Sequence, residues 1–324
     1  MLERNNEVLL RVASMYHVQG ETMDSIAHQL AVSRSTVSRL LKEARDRGVV
    51  RISVVDPDRP TSRMAEILAD TFGVQAHLVA VRPGASSVFR LEQVARVAAR
   101  ILDDAIGDGD VVGIAWGTTT SAVAAQLRPR DLTGVTIVGL NGGGNHHTTG
   151  VPYVGSILQR FAQAFHGEEM LLPLPAFFDR AETRHAMWAE RSTQNVLQVR
   201  ASTRIAVFGV GGFHSETQSH VYSANYLSDQ DRRELAANRV VGDVCTVMLR
   251  EDGTWRDIAF NDRATGMTPD ELTSLERRIC VVSGVTKAVP LLAALRAGVA
   301  TDLVLDEETA RVVLTRLRPS LRLD

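Results

Sequence analysis

The chain has 324 residues, 44% of them apolar, with 36 Lys plus Arg against 38 Asp plus Glu, the make-up of an ordinary globular protein long enough for two domains. It holds no run of about eighteen apolar residues, and MLERNNEVLL has no charged-then-apolar leader layout, so a cytoplasmic protein is expected, without a membrane partner. Cys245 and Cys280 are the only cysteines, each inside an apolar run (VVGDVCTVML and RRICVVSG), and buried reduced thiols are expected of them.

Residues 4–18 place Val8, Leu9, Val12, Ala13 and Tyr16 on one helical face. The next stretch, TMDSIAHQLAVSRSTVSRLLKEARDR at 22–47, reads as two short helices joined by a tight turn. Its apolar positions Ile26, Ala27, Leu30, Val32, Val37, Leu40 and Leu41 form one shared face. Ser33, Arg34, Ser35, Thr36, Ser38, Arg39 and Lys42 are left mostly facing out. Hydroxyls reach phosphates and base edges, and Arg reads guanine bidentately, so this face suits a DNA groove. The stretch is therefore read as a helix-turn-helix, an all-α domain completed by the first helix. Ala31 stands at the turn position that often carries Gly, which requires its backbone to avoid or bear positive φ. Residues 1–55 carry eight basic against six acidic side chains, the remainder 28 against 32; a mildly basic end on an acidic body is compatible with phosphate contact through that end. VVRISVV at 49–55 could form a wing beside the DNA. Asp56-Pro57-Asp58-Arg59-Pro60 marks a linker, giving domains 1–57 and 58–324.

From Thr61 helices and strands alternate, which points to an α/β domain with a largely parallel sheet. Strands are expected at 74–81, 111–116, 135–140, 169–175, 204–210, 243–249, 279–284 and 302–306. Helices are expected at 61–72, 87–106, 119–127, 151–165, 181–197, 229–237, 269–275, 285–297 and 306–317.

In open α/β sheets ligands bind beyond the carboxyl ends of the strands, and four such ends stand out. Gly117, Thr118 and Thr119 stand between a strand and a helix, where glycine allows close approach and unpaired N–H groups suit an anion; the alternative is N-capping by Thr118 or Thr119. The run lacks the lysine of a P-loop, so no nucleotide cofactor is expected. Asn141 and Gly142 open a loop, NGGGN, that can wrap a ligand. His146 and His147 follow it, but adjacent histidines diverge and no Cys or carboxylate has ligand spacing to them, so no metal is assigned. Gly211 and Gly212 free the backbone a third time, for a ligand or a plain turn. Asp243, entering a strand after Gly242, needs a backbone N–H or a ligand hydroxyl. Lys287, just inside a helix after Gly284, asks either for a bound anion or for solvent.

The segments SIAHQLAVSRSTVSRLLKEARDRGVVRI, VVGIAWGTTT, VVGDV and GVTKAVPLLAALRAGVATDLVLDEETARVVL resemble, over nearly the whole chain, the SorC-type sugar-binding transcriptional regulators, which also include the central glycolytic regulator and the Bacillus deoxyribonucleoside regulator. The resemblance implies a phosphosugar-isomerase-like effector domain behind a (winged) helix-turn-helix, a sugar-phosphate effector, operator DNA as partner, and a homo-oligomer, dimer or tetramer. It places Gly117, Thr118 and Thr119 in the effector-phosphate loop and Asp243 and Lys287 at sugar- and phosphate-facing positions. Asn141 stands where some relatives have a basic residue, which leaves the identity of the sugar open, and Met23 follows Thr22 where Gln is frequent. No enzymatic activity is expected. The rival readings are an isomerase or deaminase with a DNA-binding appendage, its general base drawn from Asp243, His147, Asp262 or His214, and a sensor of a nonphosphorylated sugar.

Overall fold

A computed structural model describes residues 2–50, 60–213 and 219–317. Two compact units divide the chain, Met1–Asp58 and Arg59–Asp324.

The first unit holds α1 (Leu2–His17), α2 (Met23–Gln29) and α3 (Arg34–Asp46). Leu9, Val12, Ala13 and Met15 of α1 close over Ile26 and Ala27 of α2 and Val37, Leu41 and Ala44 of α3. Side-chain oxygens start both short helices: Thr22 accepts from the Ser25 N–H and Ser33 from the Thr36 N–H, each at 3.2 Å. Helix α2 ends in a left-handed residue, Ala31 at φ 52°, with the Val32 N–H returning to the Ala27 carbonyl at 3.0 Å. That is the six-to-one closure in which glycine is favoured, so Ala31 bears the positive φ. Two residues expected in the core are not there: Val8 is 43% and Val32 38% exposed. The buried stripe of α1 runs through Leu9, Val12 and Ala13 with Val8 at its edge, and Val32 lies beyond the cap that ends α2. The wing expected at 49–55 lies, from Arg51 on, outside the described residues, as does most of the linker.

In the second unit the chain runs α4 (Pro60–Phe72), β1 (Gln75–Val79), α5 (Ser87–Ala105), β2 (Val111–Ile114), α6 (Thr118–Ala124), β3 (Thr136–Gly139), α7 (Val151–Ala164), β4 (Glu168–Met170), α8 (Ala181–Ala189), α9 (Arg191–Ala201) and β5 (Ile205–Phe208). It continues through β6 (Val210–Gly212), α10 (His220–Ser223), α11 (Asp229–Ala237), β7 (Val240–Val244), β8 (Val247–Arg250), α12 (Pro269–Thr273), β9 (Arg277–Val282), α13 (Ala288–Arg296), β10 (Asp302–Asp306) and α14 (Glu307–Leu317). Seven strands form a parallel sheet in the order β1-β10-β9-β5-β2-β3-β4. Its central strand, β5, is apolar throughout because both faces are covered. Ile205, Val207, Ile279, Val281 and Val304 meet Val94 of α5 and Phe161 of α7, while Ala206, Phe208, Cys280, Val282, Leu303 and Leu305 meet Leu68 of α4, Leu291 of α13 and Val313 of α14. Both cysteines are buried and free.

Several expected elements are divided. The run 204–210 breaks at Gly209, and its end, β6, joins β7 and β8 in a separate antiparallel sheet. The run 243–249 is a hairpin turning at Cys245 and Thr246, with φ of 50° and 69°. Two successive positive φ values are the signature of a tight hairpin turn, ordinarily built from Asn and Gly; with Cys and Thr there the sequence hides it. The run 181–197 is two helices, parted at Glu190, whose backbone is extended. Of 169–175, only Glu169 and Met170 pair in the sheet, because β4 is a three-residue edge strand.

Candidate functional site

The carboxyl ends of β2, β3 and β5 and the turn after β9 open on one cleft, beside the place where β2 and β5 adjoin and the chain reverses its progress across the sheet. It has about 490 Å³ of non-atom space including its open mouth.

The turn after β2 supplies Gly117, Thr118, Thr119 and Thr120. The Gly117 carbonyl accepts from the Ser121 N–H at 2.9 Å and from Thr120 Oγ1 at 3.1 Å. No side chain caps α6, so neither Thr118 nor Thr119 is an N-cap and the first-turn N–H groups are left for another acceptor.

Lys287 reaches the cleft from the turn Val285–Lys287 that follows Gly284, whose φ of 101° suits glycine. Asp306 holds that turn by accepting the Gly284 N–H at 3.0 Å. The Lys287 side chain is 5% exposed and makes no hydrogen bond or ion pair among the described residues. Burial lowers its pKa and the Asp243 carboxylate partly restores it. Asp243, also 5% exposed, accepts the Tyr222 hydroxyl at 2.9 Å and the Thr246 N–H at 3.0 Å. Burial raises its pKa, while Tyr222, Thr246 and Lys287 pull it back. The strained hairpin turn thus presents its own amide to Asp243. Gly211, paired with Asp243 across β6 and β7, must be glycine: a Cβ there would lie 1.8 Å from Asp243 Oδ1.

Asn141, 1% exposed, lines the same cleft. Gly142 does not. Its N–H donates to Thr265 Oγ1 at 3.1 Å, its carbonyl accepts Trp116 Nε1 at 2.8 Å, and a Cβ would meet the Leu174 carbonyl at 2.4 Å. Gly142 is a glycine because backbone packs on it, whereas Gly143 and Gly144 line a second cavity. His146 and His147 line that second cavity as well. No group of three or more potential metal ligands occurs among the described residues. Asp262 and His147 do not line the cleft, and His214 lies outside the described residues.

Sequence reasoning passed over His220, Tyr222, Thr246 and Arg200. His220, on the cleft wall, packs against Tyr153 with ring centroids 4.5 Å apart and planes tilted by 40°, and burial lowers its pKa, favouring the neutral ring. Burial pushes the hydroxyls of Tyr153 and Tyr226 up to about 12, which keeps them protonated. Arg200, 4% exposed, donates to the carbonyls of Leu140 and Thr265 at 3.3 and 3.1 Å and to Glu271 at 3.1 Å, fixing the strand end that carries Asn141. No local spacing signals His220, Tyr222 or Arg200, which act across at least 21 positions of chain, and Thr246 lies in a turn that its residue type conceals.

In the first unit Arg34, Ser35, Ser38 and Arg39 are exposed, and Arg34 lies 3.6 Å from Asp24 with both side chains about 70% exposed. Ser33 and Thr36 belong partly to the capping of α3, their hydroxyls 2.9 Å apart.

Residues 59–315 match the family model Sugar-bind, a sugar-binding domain. The deoxyribonucleoside regulator of Bacillus subtilis is 30% identical over 98% of this chain and all of its own length. The sorbitol operon regulator of Klebsiella pneumoniae is 24% identical over 97% of this chain and 100% of its own. Among solved structures, a domain of a "possible sugar-binding transcriptional regulator" from Arthrobacter aurescens TC1 is 40% identical, with a TM-score of 0.74 over 80% of this chain and 100% of that one. Full-length SorC from Klebsiella pneumoniae shares the fold at a TM-score of 0.76 over 95% of this chain and 98% of that one, with 23% identity. An α/β body with a polar cleft at its strand ends, carried by a chain whose relatives control transcription, defines a transcriptional regulator of the sugar-binding class rather than an enzyme. The chain belongs to the SorC-type family of sugar-binding transcriptional regulators. Among the described residues no helix is long and apolar enough to cross a membrane.

Proposed function

We propose that this regulator binds operator DNA through α2 and α3 and that a phosphorylated sugar or polyol in the cleft alters that binding. The observation that carries the proposal is Lys287: a lysine only 5% exposed, whose ammonium group has no hydrogen-bonding partner among the described residues and faces a cleft into which the uncapped start of α6 also opens. A dianionic phosphoryl group satisfies both, and the buried Asp243 accepts sugar hydroxyls across the cleft. The body is then of the phosphosugar-isomerase type, used for sensing. Ser35, Ser38, Arg34 and Arg39 contact phosphates and base edges, with Ser33 and Thr36 at the helix start. One reader helix per chain grips weakly, so an oligomer, at least a dimer, reads two half-sites about one helical turn apart. The effector acts to the extent that it binds the DNA-competent and DNA-incompetent arrangements with different affinity.

The test is selection of bound duplexes from a random pool by the full chain, followed by titration of the enriched duplex with D-ribose 5-phosphate, D-fructose 6-phosphate or D-glucitol 6-phosphate present. The expected result is an enriched two-half-site duplex whose affinity changes by about fivefold or more with at least one of them. Failure to enrich any duplex contradicts the DNA-reading half. An affinity blind to all three contradicts the effector half.

A further inference from the structure

Lys287 enters the cleft from a turn whose direction is not set by packing at its first residue. Gly284 opens that turn at φ 101°, and a Cβ built on it would meet nothing within 4 Å. The Lys287 N–H returns to the Gly284 carbonyl at 3.0 Å, closing the turn on itself. The Gly284 N–H donates outward, to Asp306 Oδ2 at 3.0 Å. Parallel pairing of β9 with β10 sets Leu305 beside Val282, and Asp306, the next residue, ends β10 with 1% exposure.

The two oxygens of this carboxylate have separable duties. Oδ1 accepts the Thr309 N–H at 3.0 Å, capping α14. Oδ2 accepts the Gly284 N–H and, at 2.8 Å, the Thr309 hydroxyl. Arg90 of α5, itself 8% exposed, supplies the countercharge with its Nε 3.9 Å from Oδ1. A helix cap needs only one acceptor oxygen, so the cap does not account for the second. The ionisable groups acting on the Lys287 ammonium are Asp243 and Cys280, and Asp306 is not one of them. What Asp306 does for Lys287 therefore passes through the backbone of the turn.

We propose that Asp306 is a positioning residue for effector binding: its Oδ2 holds the Gly284 turn so that the Lys287 ammonium stays in the cleft, and without that oxygen the lysine swings out to solvent. The inference rests on the phosphorylated-sugar reading above. It adds that the anion anchor is set from β10, by a side chain that does not line the cleft.

Asp306→Asn isolates the claim. Asparagine caps a helix about as well as aspartate, so α14 keeps its acceptor, while an NH2 group set against the Gly284 N–H breaks the tether. Thr309→Val is the control, since it takes a hydrogen bond from the same oxygen and leaves Gly284 held. Affinities of the full-length proteins are measured by calorimetry for D-ribose 5-phosphate, D-fructose 6-phosphate, D-glucitol 6-phosphate and inorganic phosphate. The series runs upward from about pH 7.5, where a phosphoryl group with a second pKa of about 6 is dianionic. Over that range His220, whose pKa burial lowers, is already neutral, and burial raises the thiols of Cys245 and Cys280. Burial also lowers the pKa of Lys287, so wild-type affinity falls away below the pH at which an ordinary lysine loses its proton.

Asp306→Asn is expected to lose about tenfold in affinity for whichever ligand the wild-type chain binds. Its remaining alkaline loss should move to higher pH, because a lysine released to solvent regains its ordinary pKa, and Thr309→Val should change neither property. Wild-type affinity in Asp306→Asn overturns the inference. A loss matched by Thr309→Val, or one that leaves the alkaline limb where it was, marks a general loosening of the fold and overturns it too. Asp306→Ser, which also caps a helix, replaces Asp306→Asn if the latter does not fold. A wild-type chain that binds none of the four ligands refutes the phosphorylated-sugar reading and this inference together; the inference alone fails when the wild type binds and the variants depart from the expected order.

Discussion

The charged side chains of the two units live in opposite surroundings, and each kind of surrounding fits a different partner. Arg34 and Asp24 of the helical unit are about 70% exposed, so their mutual attraction is screened and contributes little to stability. Lys287, Asp243 and Arg200 of the body are each 5% exposed or less, where a charge without compensation is strongly destabilising. Exposed guanidinium groups stay available for a polyanion that comes and goes. Buried cations must be satisfied continuously by the fold, as the Arg200 guanidinium is, or by a small molecule, as we propose for the Lys287 ammonium.

The same substitution made in both regions sharpens this contrast. Arg200→Ala is expected to lower unfolding free energy by about 3–5 kcal/mol, read as a fall in the urea midpoint at unchanged slope, because it strands the Leu140 and Thr265 carbonyls. Arg34→Ala or Arg39→Ala is expected to shift stability by less than about 0.5 kcal/mol while weakening DNA binding by about 1–3 kcal/mol, measured by anisotropy on a selected duplex. An Arg34 variant that unfolds the protein, or an Arg200 variant that does not, breaks the comparison.

A half-buried pair should fall between these extremes. Hydrogen bonds from Arg204, at 2.6 and 2.5 Å, hold the Asp110 carboxyl below its ordinary pKa, against a smaller upward push from burial. Since the folded pKa is depressed, the stabilisation is present above the unfolded pKa near 4 and is lost as pH falls through the folded value. Asp110→Asn is expected to lose about 1–2 kcal/mol at pH 7 and to flatten the acid limb of the stability-versus-pH curve. An unchanged acid limb contradicts the assignment. The smallest effect is a gain: Ala31→Gly relieves the left-handed turn of the helical unit and should stabilise by about 0.5–1 kcal/mol, visible as a higher melting temperature.

The two regions also differ in how far their sequence discloses them. Spacing alone places Ile26, Ala27, Val37 and Leu41 in a common core and leaves Arg34, Ser35, Ser38 and Arg39 outside, because helical periodicity is local. Val32 escapes that reading because a cap closed by the Val32 N–H ends α2 two residues earlier. In the body, strand ends followed by glycine locate Gly117, Gly211 and Lys287, and the structure brings them to one cleft. The same cue misplaces Gly142, since glycine needed for backbone packing and glycine needed for ligand approach look alike in sequence. The hairpin at Cys245 and Thr246 is hidden by residues that tight turns seldom use. Tyr222 and Arg200 are invisible because their partners are set by topology, not by spacing.

The central claim is that Lys287 anchors a phosphorylated metabolite. Melting temperatures of the wild-type chain and of Lys287→Met, recorded against the same three sugar phosphates, test it most directly. At least one compound should stabilise the wild type, by about 2.7 kcal/mol at a hundred times its dissociation constant, and the stabilisation should vanish in Lys287→Met. An equal stabilisation of both proteins, or none of the wild type, would contradict the account.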